Sequence, residues 1–145
     1  MRVYLDHCCF NRPFDNQSQL RIKLETEAKT RVQEYILANK IKLVWSYMLE
    51  YENNMNPFEE RRCSIEKWQE QSEIDVEEND EIIQNANRFM NIGLRTKDSL
   101  HISCAVYAHC DFFLTTDDKI LNKSHLVGGT IKITDPIDFI KEFEK

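Results

Sequence analysis

Short apolar runs of β-forming residues, spaced apart by long stretches of helical periodicity, constrain this chain more than any other feature. Arg2–Leu5 (RVYL), residues 41–45 (IKLVW) and Phe112–Leu114 (FFL) read as buried strands. Between the first two, Leu20, Leu24, Ala28, Val32, Tyr35 and Ile36 recur on one face of a helix that reaches about Asn39. Beyond the second run, Ser46 is placed to cap a helix that Asn53, Asn54 and Asn56-Pro57 then break. A polar helix is expected over residues 57–71, anchored by Ile65 and Trp68, followed by a short edge strand over residues 73–76. Ile82, Ile83, Ala86, Phe89 and Met90 form another helical stripe that Gly93 ends, and Thr96 or Asp98 opens the next helix. A short helix, a Gly128-Gly129 turn, an alternating strand over residues 130–134 and a helix from Pro136 follow the third run. This alternation predicts an α/β fold: a mostly parallel twisted sheet of about four to five strands, with helices on both faces.

The 145 residues suffice for one core that buries about two thirds of the unfolded surface. With no repeat or linker to divide it, residues 1–145 are expected to form a single domain. Five cysteines, an odd number with Cys8 and Cys9 adjacent, and no leader-like apolar stretch before Asp6, suit a reducing cytoplasm. No apolar run approaches the roughly 20 residues that span a bilayer, so no membrane association is expected. The formal net charge of -6 argues against nucleic-acid binding by bulk electrostatics. Residues 66–81 nevertheless hold eight of the carboxylates against one lysine, and charge in one such run says little about a cleft elsewhere.

Asp6 and Asp117 each stand at the carboxyl end of an expected strand, where open parallel sheets bind ligands. Asp98 opens a helix and Glu50 lies in the first turn of another, so both are expected to project toward the same rim. Each acid alone is most simply a cap or a turn residue. Four on one rim would repel one another unless a cation joined them, and Mg2+ or Mn2+ prefers such oxygen ligands. His101, Cys104, His109 and Cys110 do not share one helix face, which disfavours a zinc site.

The segments carrying these acids, YLDHCCFNRPFD, SYMLEYE, TKDSLHISCA and FFLTTDDKIL, together resemble the PIN domain, a family of metal-dependent nucleases. The resemblance runs from Val3 to about Leu121, and the NRPFD extension resembles a subgroup of small prokaryotic members. It implies a three-layer sandwich, Mg2+ or Mn2+ in the cleft and hydrolysis of phosphodiester bonds, in RNA more than in DNA. Asp6, Glu50, Asp98 and Asp117 fall on the family's four acids, with Asp118 an alternative to Asp117. The resemblance also implies the toxin of a toxin-antitoxin pair, with an antitoxin as partner, and small domains of this kind often pair as homodimers.

The expected chemistry is in-line attack of water on phosphorus, without help from the 2′-hydroxyl. Asp6 and Asp98 are expected as principal ligands, with Glu50 and Asp117 at a second ion or orienting water. Asn11, Arg12, Ser46, His101, Thr115 and Thr116 are candidate substrate contacts, and Arg95 and Lys97 flank Asp98. The alternative from another class is a PIN-like binding module for nucleic acid or protein that has lost turnover. A receiver-like phosphoacceptor domain fits less well, because His7 rather than an acid follows Asp6.

Overall fold

The computed structural model describes all 145 residues. It begins with β1 (Arg2–Leu5), a single helical turn α1 (His7–Asn11) and the long helix α2 (Leu20–Leu37). Then come β2 (Lys42–Ser46), α3 (Tyr47–Asn54), α4 (Glu59–Glu66), β3 (Ser72–Val76), α5 (Asp80–Asn91) and α6 (Thr96–Tyr107). The chain finishes with β4 (Phe112–Leu114), α7 (Asp118–Leu121), β5 (Lys132–Thr134) and α8 (Pro136–Phe143). All strand pairs are parallel, in the order β3-β2-β1-β4-β5. The expected α/β architecture is therefore the one observed, with five strands, and no helix is long and apolar enough to cross a membrane.

Alternation along the strands explains the two helical layers. Tyr4 stacks on Phe113 of the neighbouring strand and meets His101 of α6 edge-on, so one face of the sheet carries α6 and its partner α5. Phe112, one residue along, turns the other way and packs edge-on against Phe139 of α8, which in turn packs on α2. The division is the one expected of right-handed crossovers, since the chain steps outward from β1 to β3 and then returns to β4 and β5 on the opposite side. Val3, Tyr4, Leu5, Leu43, Val44, Phe113 and Leu114 are wholly buried, so the three central strands lie in the middle of the core.

Helix ends follow the expected chemistry, with small displacements. Gly93, at φ +112°, ends α5 in a left-handed turn: its own N–H bonds to Met90 O, and Leu94 N to Phe89 O. Asn39 and His109 take the same conformation after α2 and α6, with the same paired hydrogen bonds. The helix expected over residues 57–71 is shorter. Phe58 is its N-cap, and it tightens into a 3-10 turn over Lys67–Gln71 that leads directly into edge strand β3. The turn α1 has no counterpart among the expected helices, because five residues capped by Asp6 are too few to display a period.

Candidate functional site: an acidic cleft at the sheet switch point

The strand order reverses between β1 and β4, and their carboxyl ends open there into a cleft of about 380 Å³. Asp6, Asp98, Asp117 and Glu52 all line it, together with Cys8, Arg95 and Lys97. Each acid is positioned by local structure. Asp6 caps α1 by accepting the His7 N–H at 2.9 Å, and its other oxygen accepts the Thr115 hydroxyl at 2.8 Å and the Cys8 thiol at 3.4 Å. Asp117 caps α7, accepting Lys119 N–H at 2.9 Å, while its own N–H bonds to Thr115 Oγ1 at 3.1 Å. Thr115 thus ties the two strand-end acids together. Asp98 sits in the first turn of α6, where the helix end favours a negative charge.

Arg95 bridges two of these acids. Its Nε donates to Asp98 at 2.9 Å and one of its terminal nitrogens to Asp117 at 2.8 Å. Burial pushes the Asp98 carboxyl above its ordinary value; Arg95 opposes the shift, and the charges of Asp6 and Asp117 add to it. As folded, no group of three His, Cys, Asp or Glu side chains is gathered closely enough to hold an ion. The donors still fit a hard divalent cation in kind: they are carboxylate oxygens lining one cleft, and a cation already stands between two of them in the form of Arg95. That side chain is about half exposed (53 %), so it is free to swing aside, whereas Asp98 at 14 % is held in place.

The fourth acid differs from the expectation. Glu50 is exposed and does not line the cleft, whereas Glu52 does. Helix phase explains the difference: Glu52 lies four residues after Met48 and three after Leu49, both buried, while Glu50 is four residues before the exposed Asn54. Two histidines hold Glu52. His101 Nε2 donates to Oε1 at 2.8 Å and His7 Nδ1 lies 3.2 Å from Oε2. Burial alone would raise the Glu52 carboxyl, but the bonds from His101 and His7 outweigh it and hold the group far below the usual carboxylate range. For His7 burial acts in the opposite direction and lowers it, but Glu52 and Asn53 overcome that and leave it raised.

Behind Glu52 runs a buried chain of hydrogen bonds. Tyr4 OH lies 2.6 Å from both His101 Nδ1 and Ser46 Oγ, and Ser46 Oγ accepts Leu49 N–H at 3.2 Å to cap α3. With His101 neutral and its Nε2 donating to the carboxylate, Nδ1 accepts from Tyr4, and Tyr4 in turn accepts from Ser46. This arrangement corrects three candidate substrate contacts. Ser46 and Thr115 are wholly buried and His101 is 1 % exposed, so they support Asp6 and Glu52 from within and do not touch a ligand. Thr116 is also buried, and its hydroxyl has no hydrogen-bond partner.

Asn11 and Arg12 lie in a second depression that shares Cys8 and Glu52 with the first. Arg12 is already engaged, donating to Glu25 at 3.0 Å and to Asp15 at 2.9 Å. Asp118, the alternative to Asp117, points away from the cleft into a two-pronged bond with Arg21 at 2.8 Å. His109 closes α6 through its backbone, and Cys104 and Cys110 are buried, so no zinc-like cluster forms. The sequence reading did not pick out Glu52 or Cys8. Helical phase alone leaves Glu50 and Glu52 both open until the burial of Met48 and Leu49 is known; nothing in the sequence alone singles out Cys8.

Fold and cleft together define an α/β chain with an acidic site at the switch point of a five-stranded parallel sheet. Solved structures that share this fold include two VapBC structures. VapBC-1 from nontypeable Haemophilus influenzae superposes with a TM-score of 0.60 at 17% identity, over 94% of this chain and 98% of that one. VapBC2 from Rickettsia felis, bound to a DNA fragment from their promoter, superposes with a TM-score of 0.59 at 10% identity, over 93% of this chain and 98% of that one. At such identities the likeness establishes the fold, in agreement with the PIN-like architecture that the sequence resembles. No family model matches the chain, and no curated protein does.

Proposed function

We propose that this chain is a divalent-metal-dependent endonuclease that hydrolyses phosphodiester bonds, with RNA as its substrate, and that it acts in the cytoplasm as the toxin of a toxin-antitoxin pair. The observation that carries the reading is the meeting of Asp6, Asp98, Asp117 and Glu52 in one cleft at the switch point. The fold shared with the two VapBC structures supports the nuclease class and the antitoxin partner.

In this reading Asp6 and Asp98 hold Mg2+ or Mn2+, with Asp117 and Glu52 completing the set. Bound there, the cation supplies Lewis-acid polarisation and a water nucleophile at neutral pH. The chain's own residues do the positioning. Thr115 and the α1 N-terminus fix the rotamer of Asp6, and His101 and His7 keep Glu52 ionised and aligned. Arg95, displaced from Asp98 and Asp117, is in reach of a phosphate oxygen at the cleft mouth, as is the neighbouring Lys97.

A second reading, a binding module without turnover, draws on the bridge that Arg95 makes between Asp98 and Asp117. One experiment separates the two. Purified protein is incubated with labelled single-stranded RNA and DNA, with Mn2+, with EDTA, and as the Asp6→Asn variant. Cleavage of RNA that needs Mn2+ and Asp6 supports the nuclease; cleavage that survives EDTA or Asp6→Asn contradicts it; binding without cleavage of either polymer supports the module.

A further inference from the structure

We propose that the depression beside the acidic cleft is a stacking subsite, in which one unpaired nucleobase of the substrate strand lies on the ring of Phe58. The inference rests on the nuclease reading and extends it to how the strand is held.

Phe58 is 56 % exposed, and both its backbone and its ring are engaged by neighbours. Pro57 precedes it, its N–H donates to Asn56 Oδ1 at 3.2 Å, and the Arg61 guanidinium covers its ring at 4.6 Å from the centroid. Arg61 is pinned in turn by the Phe14 carbonyl at 2.7 Å. An exposed aromatic ring beside a cation is the kind of surface on which single-strand binders stack bases of any sequence. Met55, 61 % exposed, borders the same depression and widens the apolar surface.

Continuity assigns the occupant. The depression and the acidic cleft share Cys8 and Glu52 as lining residues, so a strand whose phosphate lies at Asp6 and Asp98 continues directly into the depression that Phe58 lines. On the far side of the acids, Arg95 and Asp98 also line a small depression with Lys119 and Lys123, which suits the next phosphate. Charge favours stacking at the Phe58 end: Arg12 and Arg61 there are already paired with Asp15. A chain of net charge -6 has little general attraction for phosphates, so a base-face contact supplies grip that electrostatics does not.

Binding is measured without turnover, by fluorescence anisotropy of a labelled eight-nucleotide single-stranded RNA in EDTA at low salt, so absence of cleavage has no bearing on the result. Phe58→Ala is expected to weaken binding roughly tenfold to a hundredfold, the cost of one lost base stack. Phe58→Trp retains affinity, and its added fluorescence is quenched by the RNA. Oligomers with a single abasic position, walked along the strand, include one that loses the same factor and loses nothing further on Phe58→Ala. A DNA oligomer of the same sequence follows the RNA, while a duplex is unaffected by Phe58→Ala because its bases stay paired. No binding by the parent, unchanged binding by Phe58→Ala, an unquenched Phe58→Trp, or equal losses for single strand and duplex would each overturn the subsite.

Discussion

His101 Nε2 donates to Glu52 Oε1 across 2.8 Å, from a ring buried between α6 and the sheet to a carboxylate on the wall of the cleft. The bond ties the aim of an acidic group to Tyr4 on the central strand and to the cap of α3. The position of Glu52 is therefore set by the core, whereas Glu50 on the same helix is free in solvent.

Exchange of the two glutamates distinguishes them. Glu52→Gln keeps the shape and removes the charge, and is expected to lower metal-dependent cleavage and metal affinity by roughly 10–100-fold. Glu50→Gln is expected to change stability by less than about 0.5 kcal/mol and to leave cleavage unchanged. Equal losses in paired rate assays would remove Glu52 from the site.

His7 and Glu52, 3.2 Å apart, set a pH dependence of stability. His7 is raised in the folded chain, so its contribution is complete below its ordinary value of about 6.5 and is lost as pH rises through the raised one. Glu52 is depressed, so its contribution is present above about 4.3 and is lost as pH falls through the depressed value. The pairing therefore stabilises most between about pH 4.3 and 6.5. Urea unfolding of the parent and Glu52→Gln at pH 5.5 and 8.5 should give the larger difference at pH 5.5, and a cost independent of pH would count against a charged His7–Glu52 pair.

Arg95 should compete with the metal. Arg95→Ala leaves Asp98 and Asp117 facing each other, and is expected to lower the melting temperature in EDTA by about 2–4 °C, on the order of 1 kcal/mol for a chain of this size. Mn2+ should restore it, and half-saturation should come at a lower Mn2+ concentration than in the parent. An unchanged Mn2+ titration would mean that the guanidinium and the ion do not share a place.

Lys29 lies outside the cleft and reports on the core. It is 6 % exposed, its ammonium stands 5.9 Å from the centroid of the Phe10 ring, and burial pushes its pKa down to about 8. Between about pH 8 and an unfolded value near 10.4, the unfolded chain holds a proton that the folded chain has released, so the Lys29 contribution to stability rises with pH there. Lys29→Met is expected to stabilise the protein at pH 7 by about 2 kcal/mol and to abolish that rise. Chemical denaturation at pH 7 and pH 10 measures both, and a destabilised variant at pH 7 would show that Lys29 has a partner worth more than its desolvation.

Much of this architecture is legible in the sequence because its signals are local. RVYL and FFL are apolar enough to be central strands, Ser46 precedes a helix it does cap, and Gly93 ends α5 in the left-handed turn a glycine favours. Asp6 and Asp117 each follow a strand in the sequence, and the observed strand order, which the sequence does not specify, sets those two strands side by side at one crevice. What depends on side-chain direction is less legible. The first turn of α3 offers Glu50, yet the buried face of that helix carries Glu52, and only the packing of Met48 and Leu49 decides between them. Likewise Ser46, Thr115 and His101 are polar residues near the rim in sequence, but Tyr4 and Asp6 draw them inward to satisfy buried hydrogen bonds. Arg95 looks like a surface base beside Asp98 until α6 and the loop after β4 bring Asp117 to its other side.

The most direct measurement is an anomalous difference map from crystals soaked in MnCl2. The proposed site predicts a manganese peak within about 2.5 Å of carboxylate oxygens of Asp6 and Asp98, with Arg95 swung clear of Asp98 and Asp117. A map without that peak, with Arg95 still bridging the two aspartates at saturating Mn2+, would contradict the metal-dependent nuclease.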